Sequence, residues 1–165
     1  MSAPWSDERV FVALGSNVGD RAAWLEEAVA SLRADPDVRV AAVSRWIETA
    51  PVGGPPGQGP YLNGALELRT RLAPRELLAR LQRLERLAGR ERSVRDGPRT
   101  LDLDLLAFGE RRANTPELVL PHPRMHLRLF VLEPLEELAP QLELAAVGRS
   151  VAEQRARLEA AHAAP

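Results

Sequence analysis

The stretch Arg99–Gly109, RTLDLDLLAFG, decides how this chain is read. Residues two apart on a strand share a face, about 6.6 Å apart along it. Asp102 and Asp104 therefore stand side by side, while Leu101, Leu103 and Leu105 fill the opposite face. Aspartate is disfavoured in strands, and two like charges repel each other. Beyond the pair, the spacing puts Leu106 and Phe108 on the aspartate face. The pattern predicts a central strand over Arg99 to Phe108, with a polar window near its start. Two readings of that window stay open. One is a solvated patch on an amphipathic strand. The other is a pair of carboxylates converging on a hard cation such as Mg2+, which takes oxygen ligands and keeps several waters. Two such ions, ~3.5–4 Å apart, can clamp a transferring phosphoryl group.

The residues just before the strand bear on that choice. Arg90, Arg92, Arg95 and Arg99 fall in one short loop, Arg90 to Pro98, and its junction with the strand. Such a run is either a solvated charge cluster or a set of guanidiniums that closes over a polyphosphate. All 22 basic residues are arginine and lysine is absent. That excludes a P-loop lysine and a Schiff-base lysine, so a phosphate has to be held by arginine, backbone or metal.

Outward from this strand the chain alternates strands and helices. Arg9 to Leu14 reads as a short apolar strand ended by the turn Gly15-Ser16-Asn17. Asp20 is an N-cap for a helix over Arg21 to Ala34, with Leu25, Ala28, Val29 and Leu32 on one stripe. Val38 to Thr49 predicts a second strand, and Ala50 to Pro60, with four glycines and four prolines, a long functional loop. Tyr61 to Thr70 alternates, with Leu62, Leu66 and Leu68 on one face and Tyr61, Asn63 and Glu67 on the other. Pro74 opens a helix that runs to about Ala88 with Gly89 as its cap. A short helix over Leu132 to Leu138 and a last one over Val151 to Ala163, begun by the capping box Ser150/Glu153, follow. The order predicts an α+β fold, a ferredoxin-like β-α-β-β-α-β sandwich with C-terminal helical additions, and one domain over 1–165.

Composition narrows the function classes. A net charge of −1 argues against a general nucleic-acid or membrane-surface binder. There is no cysteine, hence no disulfide or thiolate metal site. The first residues carry no apolar signal segment and no run approaches the ~20 residues of a membrane span, which predicts a cytoplasmic protein. In PHPRMHLRLF, His122 and His126 are four apart, but prolines flank the first and no HExxH glutamate accompanies them, which argues against a zincin. His122 is then a turn histidine, or a phosphate donor together with Arg128. Tyr61 and Asn63 share a face after the Gly/Pro loop, as exposed polar residues or as a plate and amide for a flat heterocycle.

Together, ALGSNVGDR, PYLNGALEL, GPRTLDLDLLAFG and LPHPRMHLRLFVLEPLEELAP resemble the 6-hydroxymethyl-7,8-dihydropterin pyrophosphokinase family of the folate pathway. The resemblance covers the chain to about Pro140. It implies the ferredoxin-like sandwich and transfer of pyrophosphate from ATP to the pterin hydroxymethyl group, releasing AMP. It implies that Asp102 and Asp104 hold two Mg2+ ions and that Arg90 and Arg99 assist transfer. It places Gln82, Glu85, Arg92, Leu105, His122 and Arg128 at nucleotide contacts. Thr49, Ala50, Val52, Tyr61, Asn63 and Phe130 fall at pterin contacts, Tyr61 and Phe130 as the aromatic sandwich. Gly15 to Asp20, Ala50 to Pro60 and Arg90 to Pro98 match three loops that close over the substrates. Asp96, Leu127 and an arginine loop one residue shorter than in some members depart from the pattern and bear on ATP binding. A monomer is expected. Two other classes stay in view: a non-catalytic ferredoxin-like module for RNA, which the scarcity of exposed rings disfavours, and a different Mg2+-dependent phosphotransferase.

Overall fold

The computed structural model describes residues 3–51, 54, 56–89 and 100–163. The alternating segments pair into one antiparallel sheet. Its strands are β1 (Val10–Ser16), β2 (Val38–Val43), β3 (Ile47–Thr49), β4 (Tyr61–Thr70) and β5 (Asp102–Phe108). The order across it is β2-β4-β1-β5, and β3 extends the β2 edge along the first residues of β4. Helices α1 (Arg21–Ala34) and α2 (Pro74–Leu87) cover one face. On the other face lies α3 (Leu129–Leu138), backed by α4 (Val151–Ala163). Two small hairpins, β6 (Ala113–Asn114) with β7 (Val119–Leu120) and β8 (Glu143–Leu144) with β9 (Arg149–Ser150), complete the chain.

The period-2 pattern accounts for both cores. Val10, Val12 and Leu14 of β1, Leu66 and Leu68 of β4, and Leu103 and Leu105 of β5 pack under Leu25, Leu32, Leu77 and Leu81 of α1 and α2. Burying each of these side chains is worth about 1.5–3 kcal/mol. The opposite face offers Phe11, Leu106 and Ala107 to Val131, Leu132 and Leu135 of α3 and to Val151 of α4. Local signals hold at the helix ends. The Asp20 carboxylate accepts from Ala23 N at 3.1 Å, Glu76 accepts from Ala73 N at 2.9 Å, and Ser150 Oγ accepts from Glu153 N at 3.1 Å. Gly89 takes φ +75° just beyond α2, where a side chain would be strained.

Several expectations need correction. Strand β1 runs through Gly15 to Ser16 instead of turning after Leu14. The single strand over Val38 to Thr49 is two pieces. Ser44 Oγ accepts from Ala65 N at 2.8 Å while Ser44 N donates to Ala65 O at 3.0 Å, so a side chain replaces a ladder partner. The chain kinks there, and Trp46 lies over Gly64, where a Cβ would come within 2.3 Å of the ring. Helix α3 starts at Leu129, three residues before the expected Leu132. The aspartate strand begins at Asp102 and is not central: β5 ends the strand order, and its apolar character comes from cover by α2 and the 118–125 segment. Finally, Phe108 does not share the aspartate face. Phe11 pairs with Ala107 and Val12 with Leu105, so Leu106 is an extra residue, a β-bulge. Leu106 and Ala107 both turn to the α3 side, and Phe108 returns to the α1/α2 core.

Candidate active site

The site grows from one row of residues across the sheet. On the face that α3 partly covers, Asn63 of β4 is paired with Gly15 of β1, which is paired in turn with Asp102 of β5. The next row is Ala65, Ala13 and Asp104. Neighbouring strands lie ~4.8 Å apart, so an amide and a carboxylate face one another over about 10 Å of sheet. Between them β1 supplies only Gly15 and Ala13. A Cβ at Gly15 would come within 2.9 Å of Asn63 Oδ1 and 3.5 Å of the Tyr61 ring. Glycine here keeps the floor low and lets the Tyr61–Asn63 pair lean over it. The sequence signalled Gly15 as a turn residue and as the head of a substrate-closing loop, and its role as the floor between amide and diacid was missed.

On the amide side, Asn63 is buried and donates from Nδ2 to Thr49 Oγ1 at 2.5 Å. Thr49 is paired with the half-buried Tyr61. Two loops meet beside them. Asn17 Nδ2 donates to Gln58 Oε1 at 3.2 Å and to Gly59 O at 3.4 Å, and Arg21 donates to Pro60 O at 2.9 Å. The sequence marked Asn17 only as a turn residue and Gln58 only as part of the second loop, because a polar contact between two loops leaves no periodic trace. Ala50 is exposed at the start of the second loop. Phe130 arrives on the same side of the sheet from the first turn of α3, with the Arg128 guanidinium 5.6 Å from its ring centre.

On the carboxylate side, Asp102 and Asp104 are half-buried. His122 is fixed beside them: its N–H donates to the Leu106 carbonyl at 2.8 Å, at the bulge. Its Nδ1 accepts from Arg124 N at 3.1 Å, which leaves the ring proton on Nε2. Burial, reinforced by the Arg128 charge and opposed by Asp102, pushes the imidazole down to about 4, so it is neutral at pH 7. Glu85, on α2 and 2% exposed, accepts from Leu103 N at 2.9 Å. Gln82 is half-buried one turn earlier on α2. Leu105 points to the opposite face, into the α1/α2 core. Arg90, Arg92, Arg99 and Val52 lie outside the described residues.

The donor set suits a hard divalent ion. Among the described residues no third acidic or histidine ligand joins the two aspartates. Two carboxylates on one strand, facing a glycine and an alanine, leave the other coordination positions to phosphate oxygens and water, which is the balance Mg2+ prefers.

Comparison with known proteins places the chain among the pyrophosphokinases. A family model described as 7,8-dihydro-6-hydroxymethylpterin-pyrophosphokinase (HPPK) matches residues 11–140. The 2-amino-4-hydroxy-6-hydroxymethyldihydropteridine pyrophosphokinase of Bacillus subtilis (strain 168) is 46% identical over 148 residues, 90% of this chain and 88% of that one. The Pseudomonas aeruginosa protein of the same name is 45% identical over 137 residues, 83% of this chain and 84% of that one. Among solved structures, a Plasmodium falciparum HPPK-DHPS crystallised with pteroate superposes with a TM-score of 0.74 at 12% identity, over 95% of this chain. This chain spans only 43% of that one, so the likeness concerns the fold.

The chain belongs to the HPPK family, and its activity is the family's: pyrophosphoryl transfer to 6-hydroxymethyl-7,8-dihydropterin, a step of folate biosynthesis. The readings as an RNA module or a different phosphotransferase fall away. Among the described residues no helix is long and apolar enough to cross a membrane.

Proposed function

We propose that residues 1–165 form one pyrophosphokinase domain of ferredoxin-like topology, with α3 and α4 as C-terminal additions, that uses the Asn63–Gly15–Asp102 row to align two substrates. The strand order and the sharing of one sheet by both cores support the topology. The row itself carries the functional reading, because it sets an amide-and-ring platform and a diacid at opposite ends of a shallow floor. The pterin stacks between Tyr61 and Phe130, hydrogen-bonds to Asn63 and Thr49, and touches the loop at Ala50 and Val52. ATP lies toward Gln82, Glu85, Arg92, His122 and Arg128, with Leu105, turned into the α1/α2 core, backing the strand on that side. Asp102 and Asp104 hold Mg2+, two ions in this reading, which supply charge neutralisation for the phosphates when bound.

In the reaction the pterin hydroxymethyl oxygen attacks the β-phosphorus of ATP in line. The bond between that phosphorus and the α,β-bridging oxygen breaks, AMP leaves, and the hydroxyl proton passes to solvent. Positioning supplies much of the acceleration. His122, its Nδ1 occupied by the Arg124 N–H, donates its Nε2–H to a phosphate oxygen. Arg90 and Arg99 offset charge that develops on the transferring group. A monomer in the cytoplasm, without nucleic-acid or membrane partners, is in keeping with the near-balanced charge. The test is incubation with ATP, Mg2+ and hydroxymethyl-dihydropterin. AMP and the pterin diphosphate are expected in equal amounts; ADP or inorganic phosphate in their place would overturn the β-phosphorus attack.

A further inference from the structure

We propose that Glu85 is a positioning residue for the diacid, acting through the backbone of Leu103. The inference rests on reading Asp102 and Asp104 as the metal site. Strand β5 is the edge of the sheet, so every second residue directs its N–H away from β1. Leu103 is such a residue: it lies opposite Leu14 in the register, between Asp102 and Asp104, and its N–H donates outward to Glu85 Oε2 at 2.9 Å. Glu85 is 2% exposed on α2, a helix whose Leu77 and Leu81 are fully buried in the same core. A rigid, buried element thus grips the Asp102–Leu103 peptide, one of the two that link the carboxylate-bearing residues. Three residues on, the Leu106 carbonyl at the bulge accepts from His122 N at 2.8 Å. The free edge of the aspartate strand is therefore fastened on either side of Asp104. Drawing two like charges together favours a local splaying of the strand, and these two fastenings oppose it. A carboxylate suits this place because a hydrogen bond to a charged acceptor is shorter and stronger than one to a neutral acceptor.

The role differs from a nucleotide contact in what its loss changes. Removing a support of a metal ligand costs about 10–100-fold in metal affinity. The experiment titrates Mn2+ into the full chain with a non-transferring ATP analogue, read by electron paramagnetic resonance, for wild type, Glu85→Met, Glu85→Gln and Asp102→Asn. Glu85→Met keeps the buried volume without the acceptor and should weaken Mn2+ binding about tenfold or more, well beyond any loss of metal-free nucleotide affinity. Glu85→Gln restores a carbonyl acceptor and should bind Mn2+ within about threefold of wild type. Unchanged Mn2+ affinity in Glu85→Met, or an equal loss of metal-free nucleotide affinity, would overturn the positioning role. Unchanged Mn2+ affinity in Asp102→Asn would remove the metal-site reading and this proposal with it. Should Glu85→Met fail to fold, hydrogen exchange at the Leu103 amide of the wild-type chain decides the point. A strongly protected amide is expected, and exchange at the rate of an open edge would contradict the contact.

Discussion

One sheet face carries two regions that differ in everything except their backbone. At one end Phe11, Leu106 and Ala107 are sealed beneath Val131, Leu132 and Leu135 of α3. At the other, Asn63, Gly15 and Asp102 form a row in which β1 supplies no side chain at all. Asp104 and Leu106 are two residues apart on the same strand and the same face. The boundary between apolar core and reactive floor is thus a single step along β5, and the bulge at Leu106 marks it. Stability is concentrated on one side of that step and chemistry on the other.

Substitutions on either side should separate cleanly. Asp104→Ala is expected to abolish AMP formation at saturating Mg2+ while the circular dichroism spectrum and melting temperature stay near those of the parent. It removes a half-buried charge that repels Asp102 and leaves both apolar cores untouched, so any loss of stability should be small. Retained turnover would erase the distinction between the two ends. Leu106→Ala should do the reverse. It opens a cavity at a residue 1% exposed and should cost about 2–5 kcal/mol in denaturant unfolding, with turnover of the folded fraction largely kept.

Gly15→Ala tests the floor itself. Its Cβ would press on Asn63 Oδ1 at 2.9 Å, so the KM for the pterin should rise while the KM for ATP changes little. The strain should cost about 1–3 kcal/mol. An equal rise in both constants would mean that Gly15 serves the strand and not the amide platform.

A smaller effect is expected from pH. His122 is pushed from 6.5 in the unfolded chain down to about 4 in the fold, chiefly by burial. The native state therefore binds fewer protons than the unfolded state in this window. Its contribution to stability is complete above 6.5 and is lost as pH falls toward 4. Denaturant midpoints measured across that range should decline, and His122→Gln should flatten the decline. An unaltered slope in the variant would place the proton uptake elsewhere.

Much of this was legible in the sequence for a physical reason. Alternation in VFVALGS, YLNGALELRT and DLDLLAF reports burial directly, so the leucine faces, the pairing of Tyr61 with Asn63 on one side, and the diacid could be read residue by residue. Features that depend on a partner distant in the chain could not. The bulge at Leu106 is set by its register against β1, and the kink at Ser44 by a hydroxyl that meets Ala65. Edge or central position is a property of the whole sheet, so β5 read as central when α2 and the 118–125 segment supply its cover. Glu85 sits within a leucine stripe, and its partner, the Leu103 amide, is invisible in a sequence.

The most direct measurement counts the metal at the diacid. Mn2+ bound per chain is determined in the complex with a non-transferring ATP analogue and hydroxymethyl-dihydropterin, for wild type and for the Asp102→Ala, Asp104→Ala double variant. The account predicts two ions in the wild-type complex and loss of the ions held by the protein in the variant, with pterin still bound. The same number and affinity of ions in both chains would contradict it.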